Sequence, residues 1–310
     1  MHDPLAELPT TPRAPIGDEI RRARRDIRRA VADVLEVPHA ALERPWRWRP
    51  DDPREVEVRW GVYRLHEILE EASGAIERAR LRDRSSLSPA PALPPLVASG
   101  AARWELHGAL AGLPVAAWDA DPGGGEWSVR RTLAHVISTQ RALGWTTAWF
   151  LDRAGTPQAG EYAPDGALPP EPDEESDADG APDDVADRLD ALVDQQVEVF
   201  GGLGDDDLAV PGRWYGLPIT VDFRLARLGS HIREHTIQVD KTVAMLGLEI
   251  PEVARIARVT LATFGRVEGL VIGRPRDEVA TDLAILEAAA RSAAETAADV
   301  RAVAGRAVAG

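Results

Sequence analysis

At 310 residues with 44% apolar content, the chain is long enough for one large or two modest domains with a real core, and size alone calls for neither metal nor disulfide to fold it. The absence of Cys removes disulfides, Cys-ligated zinc, iron–sulfur clusters and a cysteine nucleophile together, so any thiol chemistry needs a thiol from outside. The formal charge of −15 argues against a nucleic-acid partner, but it is uneven: residues 156–184 hold ten acids and no Lys or Arg, leaving about −5 for the rest.

From the N-terminus, residues 1–15 carry acids and Pro where a signal peptide needs an apolar run, and no window of about 18 apolar residues follows. The expectation is a disordered N-terminus, no membrane partner and a cytoplasmic location. Ile20, Ala23, Ile27, Ala30, Val31 and Leu35 recur at helical spacing, predicting an amphipathic helix over about 16–37 whose Arg residues form a solvated face. Pro45 to Pro53 breaks it, and Val58, Val62, Leu65, Ile68, Leu69, Ala72 and Ile76 mark a second helix over about 56–82. This helical pair, 16–84, cannot bury both faces unaided. Residues 85–97, rich in Pro, Ser and Ala, read as a linker.

A new unit spans 98–248. It reads as a helix over about 101–113, a Gly-rich break, and a long helix from Ser128, a plausible N-cap, to about Arg153. The acidic Pro/Gly/Asp stretch at 156–182 has too little apolar content to pack and reads as a mobile, solubilising loop. Helices over about 184–201 and 220–246 follow, so that four helices with one long crossover make a bundle. Two more helices, about 252–271 and 278–303, form a C-terminal pair over 249–310 expected to pack with 16–84. The whole is all-α. A weak echo links Leu42–Leu69 with Ala116–Leu143, each passing from a Trp-bearing turn through Val-Arg into a helix with a His, which suggests a degenerate second bundle.

His231 and His235 carry the chemistry. Four apart on a helix, they stack on one face beside the inward stripe of Leu225, Leu228, Ile232, Val239, Val243 and Leu246, where an unpaired ring costs free energy. His135 holds the equivalent place beside Leu133, Val136 and Ile137. Three neutral imidazoles can hold Zn, Ni or Fe as a divalent ion, with positions left open for water or a substrate atom. Glu234 is a candidate proton acceptor, although it points about 100° away from His235 and reads more readily as a surface charge. Arg131, one turn before His135, is a candidate for an anionic substrate, and Trp127 and Tyr215 are candidate pocket walls; each equally suits a structural corner.

These residues carry a resemblance. Gly125-Glu-Trp-Ser-Val-Arg-Arg-Thr-Leu-Ala-His135 and His231-Ile-Arg-Glu-His235, leading into Thr-Ile-Gln-Val-Asp-Lys241, are similar to the DinB-like (YfiT-like) family of metal-binding four-helix bundles. The resemblance implies an up-down four-helix bundle with a long crossover and a divalent metal held by His135, His231 and His235. It also implies kinship with transferases and isomerases that use mycothiol or bacillithiol, the maleylpyruvate isomerase type among them. The partners implied are a small thiol and an electrophile, mycothiol being the candidate co-substrate, and the assembly is a homodimer or a monomer with an internal pseudo-dimer. Three other readings stay open. They are a non-enzymatic metal or ligand-binding module, a metal-dependent hydrolase, for which His231-x-x-Glu234-His235 fits the inverted zinc-peptidase motif, and a bundle whose His are merely structural.

Overall fold

A computed structural model describes residues 16–48, 51, 53–83 and 90–305; the disorder expected at 1–15 lies outside the described residues. The fold is all-α. The major helices are α1 (Asp18–Leu35), α2 (Val58–Asp83), α3 (Leu93–Leu110), α5 (Val129–Asp152), α6 (Pro182–Phe200), α8 (Val221–Met245), α9 (Glu252–Gly269) and α10 (Ala280–Gly305). Single turns α4 (Val115–Trp118) and α7 (Asp205–Leu208) punctuate the loops. The β elements among the described residues are two antiparallel hairpins, β1 (Pro45–Trp46) with β2 (Val56–Glu57) and β3 (Pro211–Trp214) with β4 (Leu217–Thr220). No helix is long and apolar enough to cross a membrane among the described residues.

Helices α3, α5, α6 and α8 pack around one another, as do α1, α2, α9 and α10, and α3 joins the two sets by lying along α9. Small residues allow the close crossings. A Cβ on Gly229 of α8 would stand 3.1 Å from the Ser99 backbone of α3, and one on Gly108 of α3 would stand 3.0 Å from Arg258 Cα of α9. The second set carries His66 on α2, its Nδ1 buried without a partner, but α10 has no His to meet it.

Three expectations need correction. Of the stretch read as a linker over 85–97, residues 85–89 lie outside the described residues, and the rest is helical from Leu93, because Pro94 and Pro95 fall in the first turn, where no amide is needed for the ladder. The acidic stretch is solvated over much of its length, yet its end folds into a 3₁₀ turn, Glu174–Ala178, that packs on α5 with Asp177 and Ala178 buried. The α1 arginines are not all solvated either: Arg24 is 8% exposed and pairs with Asp194 of α6 and Glu268 of α9.

Two apolar clusters fill the interior. One spans the α1/α2/α9/α10 set and one end of the other bundle, taking Val221, Leu225 and Leu228 from α8; the second takes Ile232, Val239 and Val243 from α8 and Val129 to Ile137 from α5. Polar side chains lie where the two meet. Gln140 of α5 donates to Leu228 O at 2.9 Å, Gln196 of α6 donates to Gln140 O at 3.0 Å, and His231 follows Leu228 by one turn.

Candidate metal centre

Capping sets the registers that bring the three imidazoles together. The Ser128 hydroxyl accepts from the Arg131 amide at 3.2 Å and starts α5, while Thr220 accepts from the Phe223 amide at 3.5 Å and starts α8. With Leu133, Val136 and Ile137 turned into the core, His135 is half-buried on the edge of the α5 apolar face. His231 and His235 lie one turn apart on α8, the first 4% exposed and the second half-buried.

One ligand atom from each of His135, His231 and His235 falls within 4.8 Å of the others. The His231 and His235 Nε2 atoms face each other at 3.0 Å, and the His135 ring centroid lies 4.8 Å from that of His235 and 5.4 Å from that of His231. The opposite nitrogens are backed unequally. His235 Nδ1 donates to Gln238 Oε1 at 2.8 Å, His135 Nδ1 lies 3.4 Å from Glu174 Oε1, and His231 Nδ1 is buried with no partner. The Thr139 hydroxyl stands 3.4 Å from His135 Nε2.

The proton accounting favours a cation. With its proton on Nδ1 toward Gln238, His235 leaves Nε2 bare, so the facing His231 nitrogen must either donate its only proton or share a positive ion. Burial, then the neighbouring His235, pushes the His231 imidazole down to about 3, and burial also lowers His235 despite the Gln238 bond. Both rings are therefore neutral at pH 7, the form that ligates. Mutually facing and partly orphaned, with His231 and His235 held neutral, the donor set fits a divalent ion.

The wall beside the centre comes from the Gly-rich turn before α5. Lys241 donates to Glu126 at 2.5 Å and Thr242 to Trp127 O at 3.0 Å, docking that turn on α8. Trp127 meets His135 edge-on at 5.1 Å and lies parallel to His235 at 6.5 Å, and the Arg131 guanidinium covers its ring at 5.1 Å. Tyr215 is not brought to the three His: it sits 88% exposed at the β3–β4 turn with φ of 46°, its ring against Trp214. Glu234 lies on the outer face of α8 and is engaged by both terminal nitrogens of Arg227. Gln238, Thr139 and Glu174 belong to the site and escaped the sequence reading. The first two were within reach of it, standing three residues after His235 and four after His135; Glu174 gave no local signal. A cleft of about 260 Å³ between α1, α3 and α6 is lined by His107, Trp104 and Trp118 but by none of these three His.

Residues 100–239 match the model of the DinB superfamily. No curated protein and no solved structure matches the chain.

Proposed function

Since residues 100–239 belong to the DinB superfamily, we propose that this chain is a divalent-metal-dependent transferase that works on a small external thiol of the mycothiol kind. The convergence of His135, His231 and His235, with one buried nitrogen left orphaned, supports the reading most directly. Zinc, nickel or ferrous iron bound there would supply a Lewis acid that lowers the pKa of a thiol or water. The three imidazoles would hold the ion in neutral form, which burial already enforces on His231 and His235. Trp127 walls the approach and shields it from water, and Arg131, exposed above that ring, is placed to meet an anionic group on the electrophile. With no Cys in the chain, the sulfur nucleophile comes from the co-substrate. The α1/α2/α9/α10 set, packed on α3 through α9, serves in this reading as a built-in partner that leaves the chain a monomer.

Elemental analysis of the untagged protein beside a His231→Ala, His235→Ala double variant is the test. About one metal per chain in the wild type and none in the variant is the expected result. The metal-loaded protein should then turn over a mycothiol-type thiol with an electrophile. Absence of metal after loading with zinc or nickel would overturn the site, and bound metal without turnover of any thiol would overturn the transferase.

A further inference from the structure

The acidic crossover between α5 and α6 contributes a side chain to the centre. Glu174 opens the 3₁₀ turn Glu174–Ala178, and arginines from both flanking helices pin that turn. Arg141 of α5 donates to Asp177 at 2.9 Å, Arg188 of α6 to Asp177 O at 2.7 Å, and Arg130 of α5 to Ala178 O at 2.6 Å. The Asp177 side chain is 6% exposed and Ala178 is fully buried, so the backbone carrying Glu174 is fixed although the Glu174 side chain itself is 46% exposed. From this place Glu174 Oε1 reaches to 3.4 Å from His135 Nδ1.

We infer that Glu174 is a positioning residue for His135, holding the imidazole proton on Nδ1 and leaving Nε2 bare for a ligand. A carboxylate only accepts, and a neutral imidazole has one proton, so the nitrogen facing Glu174 takes it. The Thr139 hydroxyl, 3.4 Å from Nε2, accommodates that tautomer, since a hydroxyl donates to a bare nitrogen as readily as it accepts from a protonated one. A carboxylate behind a ligating imidazole fixes the ring and raises its basicity. Each of the three rings thus has a different backing: a charge behind His135, a neutral amide behind His235, and nothing behind His231. The acidic crossover therefore does more than solubilise. The consequence for metal binding rests on the reading of the three His as a metal centre, whereas the consequence for the tautomer holds in the metal-free protein.

The test compares wild type, Glu174→Ala, Glu174→Gln and, as the control, Glu175→Gln at the exposed neighbouring acid. Ring nitrogen NMR of the metal-free proteins reads the His135 tautomer, and competition titration with a chelator reads zinc affinity. The expected result is an Nδ1–H tautomer in the wild type, lost in Glu174→Ala and kept in Glu174→Gln, whose amide oxygen still accepts. Zinc binding should weaken about 10–100-fold in Glu174→Ala, less in Glu174→Gln, and not at all in Glu175→Gln. An unchanged tautomer in a folded Glu174→Ala protein overturns the inference, whatever the metal does. A wild type that takes up no zinc but shows the tautomer change overturns the metal centre and leaves the role of Glu174 standing.

Discussion

Among the described residues, two of the polar clusters in the interior are built on opposite plans. At the junction of the two helix sets, Glu268 of α9 accepts from Arg24 at 2.5 Å, Arg103 at 2.7 Å and the Trp104 indole at 2.8 Å. Asp194 takes two bonds from Arg24 and one from Arg103, while Asp190 takes Arg28 and, at 2.8 Å, His107. Every carboxylate has its cations, and Arg103 Nε, 3.4 Å from Asp190, is the one nitrogen of Arg24 and Arg103 left without a good bond. The three-His centre has like groups facing like, an orphaned His231 Nδ1, and a single partly exposed carboxylate at its edge. A network closed on itself ties α1, α3, α6 and α9 together. A cluster left open is where a ligand would complete the polar accounting.

The largest effect should come from opening the closed cluster. Glu268→Leu removes the carboxylate that Arg24, Arg103 and the Trp104 indole share and leaves the two guanidinium groups to Asp194 and Asp190 alone, and urea unfolding should show a loss of about 3–5 kcal/mol. A loss below about 1 kcal/mol would put this network on the same footing as the open one. Acid should act on it in the same direction. Burial pushes the Glu268 and Asp190 carboxyls up, but Arg24 and Arg103 around the first, and Arg103, His107 and Arg28 around the second, hold both below the usual range. As pH falls the unfolded carboxyls take protons first, so this stability is complete above about pH 5 and drains away below it.

The open cluster should respond in the opposite sense. In metal-free protein at pH 7, His231→Leu removes a buried Nδ1 that has no partner together with the Nε2 contact to the half-buried His235, and the two offset, so the variant should lie within about 1 kcal/mol of the wild type. The unfolded imidazole protonates near 6.5, whereas burial and His235 keep the folded one neutral to about 3. The wild type should therefore lose stability as pH falls from about 6.5 toward 3, and the variant should lose less over that window. Zinc should raise the melting temperature of the wild type alone. Strong destabilisation of His231→Leu at pH 7 would mean that the ring is satisfied by its packing, and the contrast between the clusters would collapse.

How much of this could be read from the sequence depends on the range of the interaction. His231 and His235 were visible because four residues on a helix is a fixed geometry, and Leu225, Leu228 and Ile232 identify the inward face. The long helices were visible for the same reason, whereas α4, α7 and the strands of the hairpins are two to four residues each, too short for any period to register. The start of α3 was hidden because Pro94 and Pro95 read as breakers unless their place in the first turn is known. Tyr215 read as a pocket wall, but Tyr215-Gly216 is a left-handed turn, with φ of 46° and 81°, that aims its ring outward. Arg24 and Glu174 were illegible for a common reason: their partners lie far along the chain, and a charged residue in a charged run looks solvated until its counter-ion is placed. Composition cannot tell a solubilising acid from one on a turn that three arginines pin beside an imidazole.

The smallest effect is expected at Glu234, and it sharpens the boundary of the open cluster. Glu234 follows His231 by three residues and precedes His235 by one, so chain position puts it in the centre, while its carboxylate is spent on Arg227 across the outer face of α8. The bond from Arg227 is the main reason its carboxyl sits below the usual range, which makes it a poor proton acceptor as well as a misdirected one. Glu234→Gln should change stability by less than about 0.5 kcal/mol, as exposed ion pairs do, and leave zinc uptake unchanged. Retained zinc alongside a lost affinity in Glu174→Ala would place the working carboxylate on the crossover and not on the ligand helix. Loss of zinc in Glu234→Gln would reverse that assignment and turn the Arg227 pair into a latch holding a metal ligand out of the centre.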